Sequence, residues 1–377
     1  MTGSNLSAVV IGAGWAGEGH TKALQLQGVR VEAICARNIE AVEKAARDLG
    51  VGVASINWKR TLLELKPDIV ALATPASLRK EVIALATEMD CHLFVDKPLA
   101  IDTKEAQQNF KMVKSAKLKH AFAATHCYDP GLAWIGELLE KGSIGELREI
   151  EIVCNLPHMK RLTPWTWFDS LRTGGGALNN GLTHFLGMLE RLLQGKLITI
   201  MGQSQTFRNK APVRSDIHDY RTIANNEHTL EVEEPSEWKT CDADTGFHAL
   251  CKFRAGLQHK DMEVPVSIKF DLFAVTTSPA NGWYFYGDEG ILVANGTFSL
   301  QVGNYEDTKV VPLPIPERFY DTLPTKGNDE QDKWNALARD FVADIKGGPS
   351  MPYLTLEDGW RYQLAIDAVR KGVLYEV

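Results

Sequence analysis

Between Ser7 and about Thr125, short unbroken apolar runs alternate with stretches whose apolar residues recur every three or four positions. The runs Ala8–Ile11, Val31–Ala36, Asp68–Thr74, Cys91–Val95 and His120–Ala124 read as buried strands, with crossover helices between them. That rhythm predicts an α/β unit with a doubly wound parallel sheet. After Pro130 the pattern changes to a helix (about 131–141), a long strand (Leu147–Asn155), an aromatic loop, a glycine-rich turn and a second helix (about 177–193). Strand-like runs follow at Gly246–Phe253, Val264–Val275, Trp283–Tyr286, Ile291–Ala294 and Phe298–Val302. Gly287-Asp288-Glu289-Gly290 and Asn295-Gly296 between them suit tight hairpins, so this half predicts an α+β unit around one large, mainly antiparallel sheet. Two amphipathic helices, about Gln331–Lys346 and Leu356–Val373, close the chain. The stretch from Asn209 to Lys239 has no period and predicts a long loop or lid.

The first turn carries chemistry. Gly12-Ala13-Gly14-Trp15-Ala16-Gly17 follows the first strand directly and opens a helix. Glycines there permit the tight turn, let backbone N–H groups approach a pyrophosphate, and bring helix close to strand, while the helix N-terminus favours an anion. A Rossmann dinucleotide-binding domain over residues 1–125 and a substrate-binding and oligomerisation domain over 126–377 are therefore expected. At the end of the second strand, where a carboxylate would accept from ribose hydroxyls, stand Arg37 and Asn38. Arg37 can pair with a 2′-phosphate or stack on adenine, which favours NADP over NAD, although a solvated loop arginine is the plainer reading.

Length and charge narrow the possibilities. A chain of 377 residues is long enough for two cores. With 41 basic and 48 acidic residues, and no cluster of Lys and Arg, it offers nothing for nucleic acid to follow. The six cysteines are scattered, without a C-x-x-C pair, and read as reduced buried thiols, not as a disulfide frame or metal site. No apolar stretch approaches a membrane span and the N-terminus has no leader pattern, so a cytoplasmic protein without a membrane or metal is expected.

Two further places stand out. Lys97, in Phe94-Val95-Asp96-Lys97-Pro98-Leu99, lies at the carboxyl end of a predicted parallel strand, where open α/β sheets bind ligands, and Pro98 keeps it extended. Asn180 and His184 are four apart and share a helical face, behind a Gly174-Gly175-Gly176 turn that would let the chain approach a ligand closely. Taken singly, a surface lysine and a satisfied core histidine are the plainer readings. The loop before the glycines, His158 to Arg172, sets Trp165, Trp167 and Phe168 beside Asp169 and Arg172. Rings beside polar groups suit a sugar, though large aromatics also fill cores and subunit contacts.

In order, the glycine turn, Pro67-Asp68-Ile69-Val70-Ala71-Leu72-Ala73-Thr74-Pro75, Phe94-Val95-Asp96-Lys97-Pro98-Leu99, and Gly174-Gly175-Gly176-Ala177-Leu178 with His184 resemble the Gfo/Idh/MocA oxidoreductases, the group of glucose-fructose oxidoreductase and inositol dehydrogenase. The resemblance continues through the Gly287–Gly290 hairpin to Leu356-Glu357-Asp358-Gly359 and so covers nearly the whole chain. It implies that Thr74, Pro75, Leu78, Asp96, Lys97 and Pro98 line the cofactor, with Lys97-Pro98 often cis. It also implies that His126 to Pro130 mark the crossing into the second domain, and that the second sheet pairs subunits into a dimer or tetramer. The family's Glu-Lys-Pro is Asp96-Lys97-Pro98 here, its Asp stands as Asn180, and a Gly expected near 182 is Leu182. Family members often carry Arg or Asn where His126 stands.

The expected reaction is hydride transfer between a nicotinamide and a secondary alcohol or ketone of a small polyol, sugar or sugar acid. Lys97 would polarise the oxygen, His184 would take the proton, and Asn180 would orient the hydroxyl or His184. His126, Trp165, Trp167 and Arg172 are the further expected substrate contacts. Two other readings keep the fold: a dinucleotide-binding regulatory protein without a reaction, which Asn180 favours, and a glycosidase that uses bound NAD transiently.

Overall fold

The apolar runs of the first third do become interior strands. In a computed structural model, residues 6–159, 162–214, 237–274, 276, 278–296, 298–325 and 330–376 are described. The N-terminal layer runs β1 (Ser7–Ile11), α1 (Trp15–Leu26), β2 (Arg30–Cys35), α2 (Ile39–Leu49), β3 (Val53–Ser55), α3 (Trp58–Leu65), β4 (Ile69–Leu72), α4 (Arg79–Glu88), β5 (His92–Asp96), α5 (Thr103–Ser115) and β6 (His120–Ala123). Its six strands pair in parallel in the order β3-β2-β1-β4-β5-β6. β1 and β4 are buried along their whole length, as central parallel strands with helices on both faces must be. Strand order reverses between them, which opens the crevice above the glycine turn. Sequence reasoning missed β3, a three-residue edge strand without an apolar run.

The second half runs α6 (Pro130–Glu140), β7 (Leu147–Asn155), α7 (Thr183–Leu192), β8 (Lys196–Gln205), β9 (Lys210–Pro212), β10 (Trp238–Thr240), β11 (Gly246–Ala255), β12 (Met262–Asp271), β13 (Gly282–Gly287), β14 (Gly290–Asn295), β15 (Ser299–Asn304), β16 (Val311–Leu313), α8 (Glu330–Ile345), α9 (Leu356–Lys371) and β17 (Tyr375–Glu376). Nine of these strands form one sheet in the order β16-β15-β14-β13-β7-β12-β11-β8-β17, antiparallel except for the β7–β12 pair. The expected hairpins are present, with Tyr286 opposite Ile291 and Asn295 opposite Ser299. β8 was not anticipated, because its second half, Gly202-Gln203-Ser204-Gln205, is polar. Along β11, Phe247, Ala249, Cys251 and Phe253 point inward, while His248, Leu250, Lys252 and Arg254 face outward. The inner face meets α7 through Phe185, whose ring lies 5.6 Å from Phe270 and 5.8 Å from Trp283. All six cysteines are free, five of them buried. No helix among the described residues is long and apolar enough to cross a membrane.

Two C-terminal helices tie the layers together. α9 packs on α5, where Trp360 stacks on Phe110 at 5.6 Å and Asp367 accepts hydrogen bonds from the Thr103 amide at 2.9 Å and hydroxyl at 2.7 Å. α8 returns past residue 126 to pack on α1 of the first layer, with Trp334, Leu337 and Phe341 in the same core as Val10 and Ile34. Gly19 permits this approach, since a Cβ there would overlap the Trp334 ring. The expected lid falls mostly on residues 215–236, outside the described residues; its two ends pair as β9 and β10.

His20, on α1, is fully buried between Phe94 and Trp334, with ring centres 4.8 and 5.7 Å away and no hydrogen-bond partner for either nitrogen. Burial, only partly offset by Asp96, lowers its pKa to about 4. The unfolded chain takes up this proton near pH 6.5, so the folded state holds its full advantage above that pH and loses it as pH falls towards 4. The loss is on the order of 3 kcal/mol by the shift alone. Denaturant unfolding at pH 7 and pH 4 should therefore show a smaller drop in stability for His20→Leu than for the parent protein.

Candidate active site

The glycine turn is built as a phosphate site requires. Gly12 has φ +128°, and a Cβ on it would lie 2.5 Å from the Ala73 carbonyl oxygen. A Cβ on Gly17 would fall on the Gly12 carbonyl, so neither position admits another side chain. Gly14 caps α1, and its carbonyl accepts from Glu18 N at 3.0 Å, leaving the first-turn N–H groups of Trp15, Ala16 and Gly17 facing the crevice. Trp15 is 40 % exposed at the mouth, with its ring edge-on to Trp334 at 4.9 Å. This cradle fits a dinucleotide pyrophosphate. At the end of β2, Asn38 uses its side-chain oxygen to cap α2 through Ala41 N at 2.9 Å, while Arg37 is exposed.

The neighbouring turns are held by a residue that sequence reasoning missed. Arg79, 2 % exposed, donates from Nε and Nη2 to the Thr74 carbonyl at 3.0 and 2.5 Å, and from the same guanidinium to the carbonyls of Asp96, Lys97 and Pro98. It shares the buried stripe of α4 with Val82, Ile83 and Ala86, a charge on an apolar face that was the available signal. Burial lowers its pKa to about 10, with Asp96 and Glu105 opposing. Lys97 follows, joined to Pro98 by a cis peptide, with its amide donating to Asp96 Oδ1 at 2.8 Å. Its side chain is half-buried; burial first, then Arg79, push its pKa down, against Asp96 and Glu330. Thr74 Oγ1 is buried without a partner, Pro75 begins a short 3-10 turn, and Leu78 lies exposed beside it.

The glycine triplet packs the two halves together. A Cβ on Gly174, at φ +84°, would lie 2.6 Å from Ala76 Cβ and 3.4 Å from Pro98 Cγ, so this residue touches both cofactor-side turns. Gly175 packs on the Phe168 carbonyl, and Gly176, at φ +99°, packs on the Asp244 carboxylate. Buried Asp244 then fixes the start of the helix: its backbone carbonyl accepts from Ala177 N at 2.8 Å, its side chain from Leu178 N at 2.6 Å and from Arg370 at 3.1 Å. Leu178–Leu182 form a π-type turn leading into α7, the irregularity often found where a helix must aim side chains at a site. Asn179 points inward to Gln363 and Arg370.

Asn180 points the other way, and its Oδ1 accepts from Lys97 Nζ at 3.1 Å while its Nδ2 donates to the Gly176 carbonyl at 2.9 Å. His184 lies face to face with His126, ring centres 3.9 Å apart and planes 15° from parallel. Burial, then the positive neighbours His126, Lys97 and Lys333, push the His184 pKa well below its ordinary value. His126 Nε2 reaches Glu330 Oε2 at 3.2 Å, and Lys333 bridges Glu330 and Asp129 at 3.3 Å each. Burial raises the Glu330 pKa, but His126 and Lys333 together bring it to about 2.

Lys97, Asn180, His184 and His126, distant in sequence, thus converge. The polar contacts described for the aromatic loop lie elsewhere. Trp165 is occupied by the β9–β10 ladder, donating from N to Pro212 at 2.8 Å and from Nε1 to Thr240 at 3.1 Å, with Lys239 Nζ 3.3 Å above its ring. Trp167 packs edge-on to Phe168 at 5.9 Å, and Arg172 sits exposed on the turn that meets Ala76–Leu78. Asp169 pairs with buried Arg208. Sequence reasoning passed over Asp244 and Glu330, whose partners Arg370 and His126 lie far along the chain.

Residues 6–123 match the family described as "Oxidoreductase family, NAD-binding Rossmann fold", and residues 133–293 match the GFO/IDH/MocA C-terminal domain. Levoglucosan dehydrogenase of Pseudarthrobacter phenanthrenivorans is 26 % identical over 226 residues, 56 % of this chain and 57 % of that protein. The chain spans about half the length of the curated relatives it matches. Among solved structures, levoglucosan dehydrogenase in complex with NADH and levoglucosan superposes with a TM-score of 0.77 at 20 % identity, over 99 % of this chain and 100 % of that one. An oxidoreductase domain protein from Kribbella flavida gives 0.79 at 20 % identity over the full length of both chains. The glycine cradle, the cis Lys97-Pro98 turn and the mixed nine-stranded sheet are thereby accounted for together: the chain belongs to the Gfo/Idh/MocA oxidoreductase family.

Proposed function

We propose that the protein is an NAD(P)-dependent dehydrogenase or reductase acting on a secondary alcohol or ketone of a sugar, polyol or sugar acid. The observation that carries this reading is the 3.1 Å contact between Lys97 Nζ, at the carboxyl edge of the parallel sheet, and Asn180 Oδ1 on the far layer. A cation held there can stabilise the oxygen of a reacting carbinol. The bound nicotinamide would supply the two-electron step, taking or giving a hydride at the carbinol carbon. Gly12 to Gly17 would seat its pyrophosphate, Thr74 and Pro75 would flank it, and Lys97 would hold the substrate oxygen. Proton handling would fall to the imidazole pair, His126 and His184. A carboxylate is missing at position 180, as in a protein that binds without reacting, yet Asn180 still holds Lys97, which a mere binding protein has no need to orient.

Sugar chemistry is supported by the names of relatives, levoglucosan dehydrogenase among them. For the dinucleotide, exposed Arg37 stands where a 2′-phosphate would lie, which supports NADP beside the NAD that the family's description names. Buried free thiols suit a reducing, cytosolic setting. The outward face of the nine-stranded sheet, where Leu250 is exposed, is the surface available for pairing subunits.

The test is a panel of polyols, sugars and sugar acids, levoglucosan included, scanned with NAD and NADP for nicotinamide absorbance. Lys97→Ala should lower turnover on any positive substrate by at least about a hundredfold, while dinucleotide affinity by calorimetry changes only a few-fold; an active variant would remove Lys97 from the mechanism. Arg37→Ala should weaken NADP binding by roughly tenfold and leave NAD within about twofold, since one charge-assisted contact to a phosphate is lost. Equal losses for both dinucleotides would show that Arg37 does not read the 2′-phosphate.

A further inference from the structure

The two stacked imidazoles differ in what holds them. His126 Nε2 is anchored on Glu330 at 3.2 Å, and its side chain remains 37 % exposed. Among the described residues no such anchor is seen for His184: its Nδ1 is buried without a hydrogen-bond partner, and Asn180, one turn earlier, is engaged by Lys97 and the Gly176 carbonyl. We propose that His126, oriented by Glu330, is the proton acceptor of the alcohol oxidation, and that His184 serves as its neutral stacking partner. The assignment rests on the dehydrogenase reading of this site.

A carboxylate that accepts the Nε2 proton fixes one tautomer and leaves Nδ1 with its lone pair. The same negative charge then stabilises the imidazolium formed when a proton arrives. His126 meets Glu330 of α8 and His184 of α7; Lys333 of α8 and Asp129, just before α6, adjoin Glu330, and Lys97, just after β5, acts on His184. Lys333 is shared between two carboxylates, Glu330 and Asp129, so its charge is largely answered. His184 is the poorer base, because burial and the surrounding cations oppose its protonation. As the carbinol C–H bond breaks, its electron pair would leave as hydride, the two-electron chemistry a bound oxidised nicotinamide would supply. The hydroxyl proton passes to His126 Nδ1, the carbinol becomes a carbonyl, and His126 returns the proton to water through its exposed edge. Glu330 is a positioning residue in this scheme and touches no reacting atom.

The experiment compares the parent protein with Glu330→Gln and Glu330→Asp. Long-range 1H–15N spectra of histidine-labelled protein, assigned with His126→Gln, should show His126 as the Nε2–H tautomer. That preference should be lost in Glu330→Gln and largely restored in Glu330→Asp, with His184 staying neutral well below the ordinary histidine range. For the panel compound that gives the fastest nicotinamide signal, Glu330→Gln should move the acid limb of kcat/KM about one unit to lower pH, because the acceptor loses its neighbouring negative charge. The plateau should fall by roughly tenfold as the acceptor weakens. An unchanged tautomer and an unchanged limb in Glu330→Gln would overturn the proposal, as would protonation of His184 in the ordinary histidine range. Silence from the whole panel would sink the dehydrogenase reading instead, and the tautomer spectra do not depend on it.

Discussion

The guanidinium of Arg79 is the constraint on which the cofactor-side geometry depends. The turns after β4 and β5 leave the sheet with peptide carbonyls pointing inward, where no strand can pair them. A buried unpaired carbonyl costs about 1–3 kcal/mol, and four of them, at Thr74, Asp96, Lys97 and Pro98, meet a single side chain with five N–H donors. Lysine, with three donors on one atom, could not span two turns in this way. Among the described residues no carboxylate lies within ion-pair distance of Arg79, so carbonyl dipoles alone solvate the charge, with Asp96 and Glu105 acting from further off. The consequence reaches Lys97 twice: its backbone is fixed by the clamp, and the nearby cation adds to the effect of burial in making its ammonium a readier proton donor.

The opposite wall follows the same logic with the sign reversed. Buried Asp244 takes the amide of Leu178 at the start of the π-type turn and the guanidinium of Arg370 from α9, and its neighbour Gly176 must be glycine for the carboxylate to fit. Arg370 also reaches Asn179, so the residue beside Asn180 is held from behind while Asn180 itself turns towards Lys97. Each partner in the central contact is therefore supported by a buried charge, Arg79 satisfied by backbone carbonyls and Asp244 by the Leu178 amide and the Arg370 guanidinium. Such second contacts keep a site within the few tenths of an ångström that orientation requires. Thr103 and Asp367 extend this support across the layers, so α9 braces both walls at once.

What was legible in the sequence was what depends on local pattern. The parallel strands are continuous apolar runs, the glycine turn sits between a strand and a helix, and Lys97, Asn180 and His184 follow from motif and spacing. The residues that hold them were not legible, because their partners are set by the tertiary fold. Arg79 reads in sequence only as a charge on an apolar stripe, and Glu330 only as the first residue of an amphipathic helix. The contacts of Trp165 with the β9–β10 ladder were not legible either, because a ring in a loop does not announce its neighbours. β8 was missed because half of a strand beside a two-residue edge partner can be polar without penalty.

The amide at position 180 changes the electrostatics more than the shape. A carboxylate there, which the family resemblance implies, would sit against Lys97 as a full negative charge and hold it as an ammonium. Asn180 keeps the hydrogen bond at 3.1 Å and removes the charge, so burial acts on Lys97 with only Asp96 and the more distant Glu330 to oppose it. The same loss strips His184 of any carboxylate of its own, which is why burial and cations dominate there. Negative charge re-enters the site from α8, at Glu330, and it enters on His126. A substitution that looks like the loss of a catalytic group is thus accompanied by a carboxylate from a helix that packs on the cofactor layer, and in the proposed reaction the proton acceptor is the ring that this carboxylate holds.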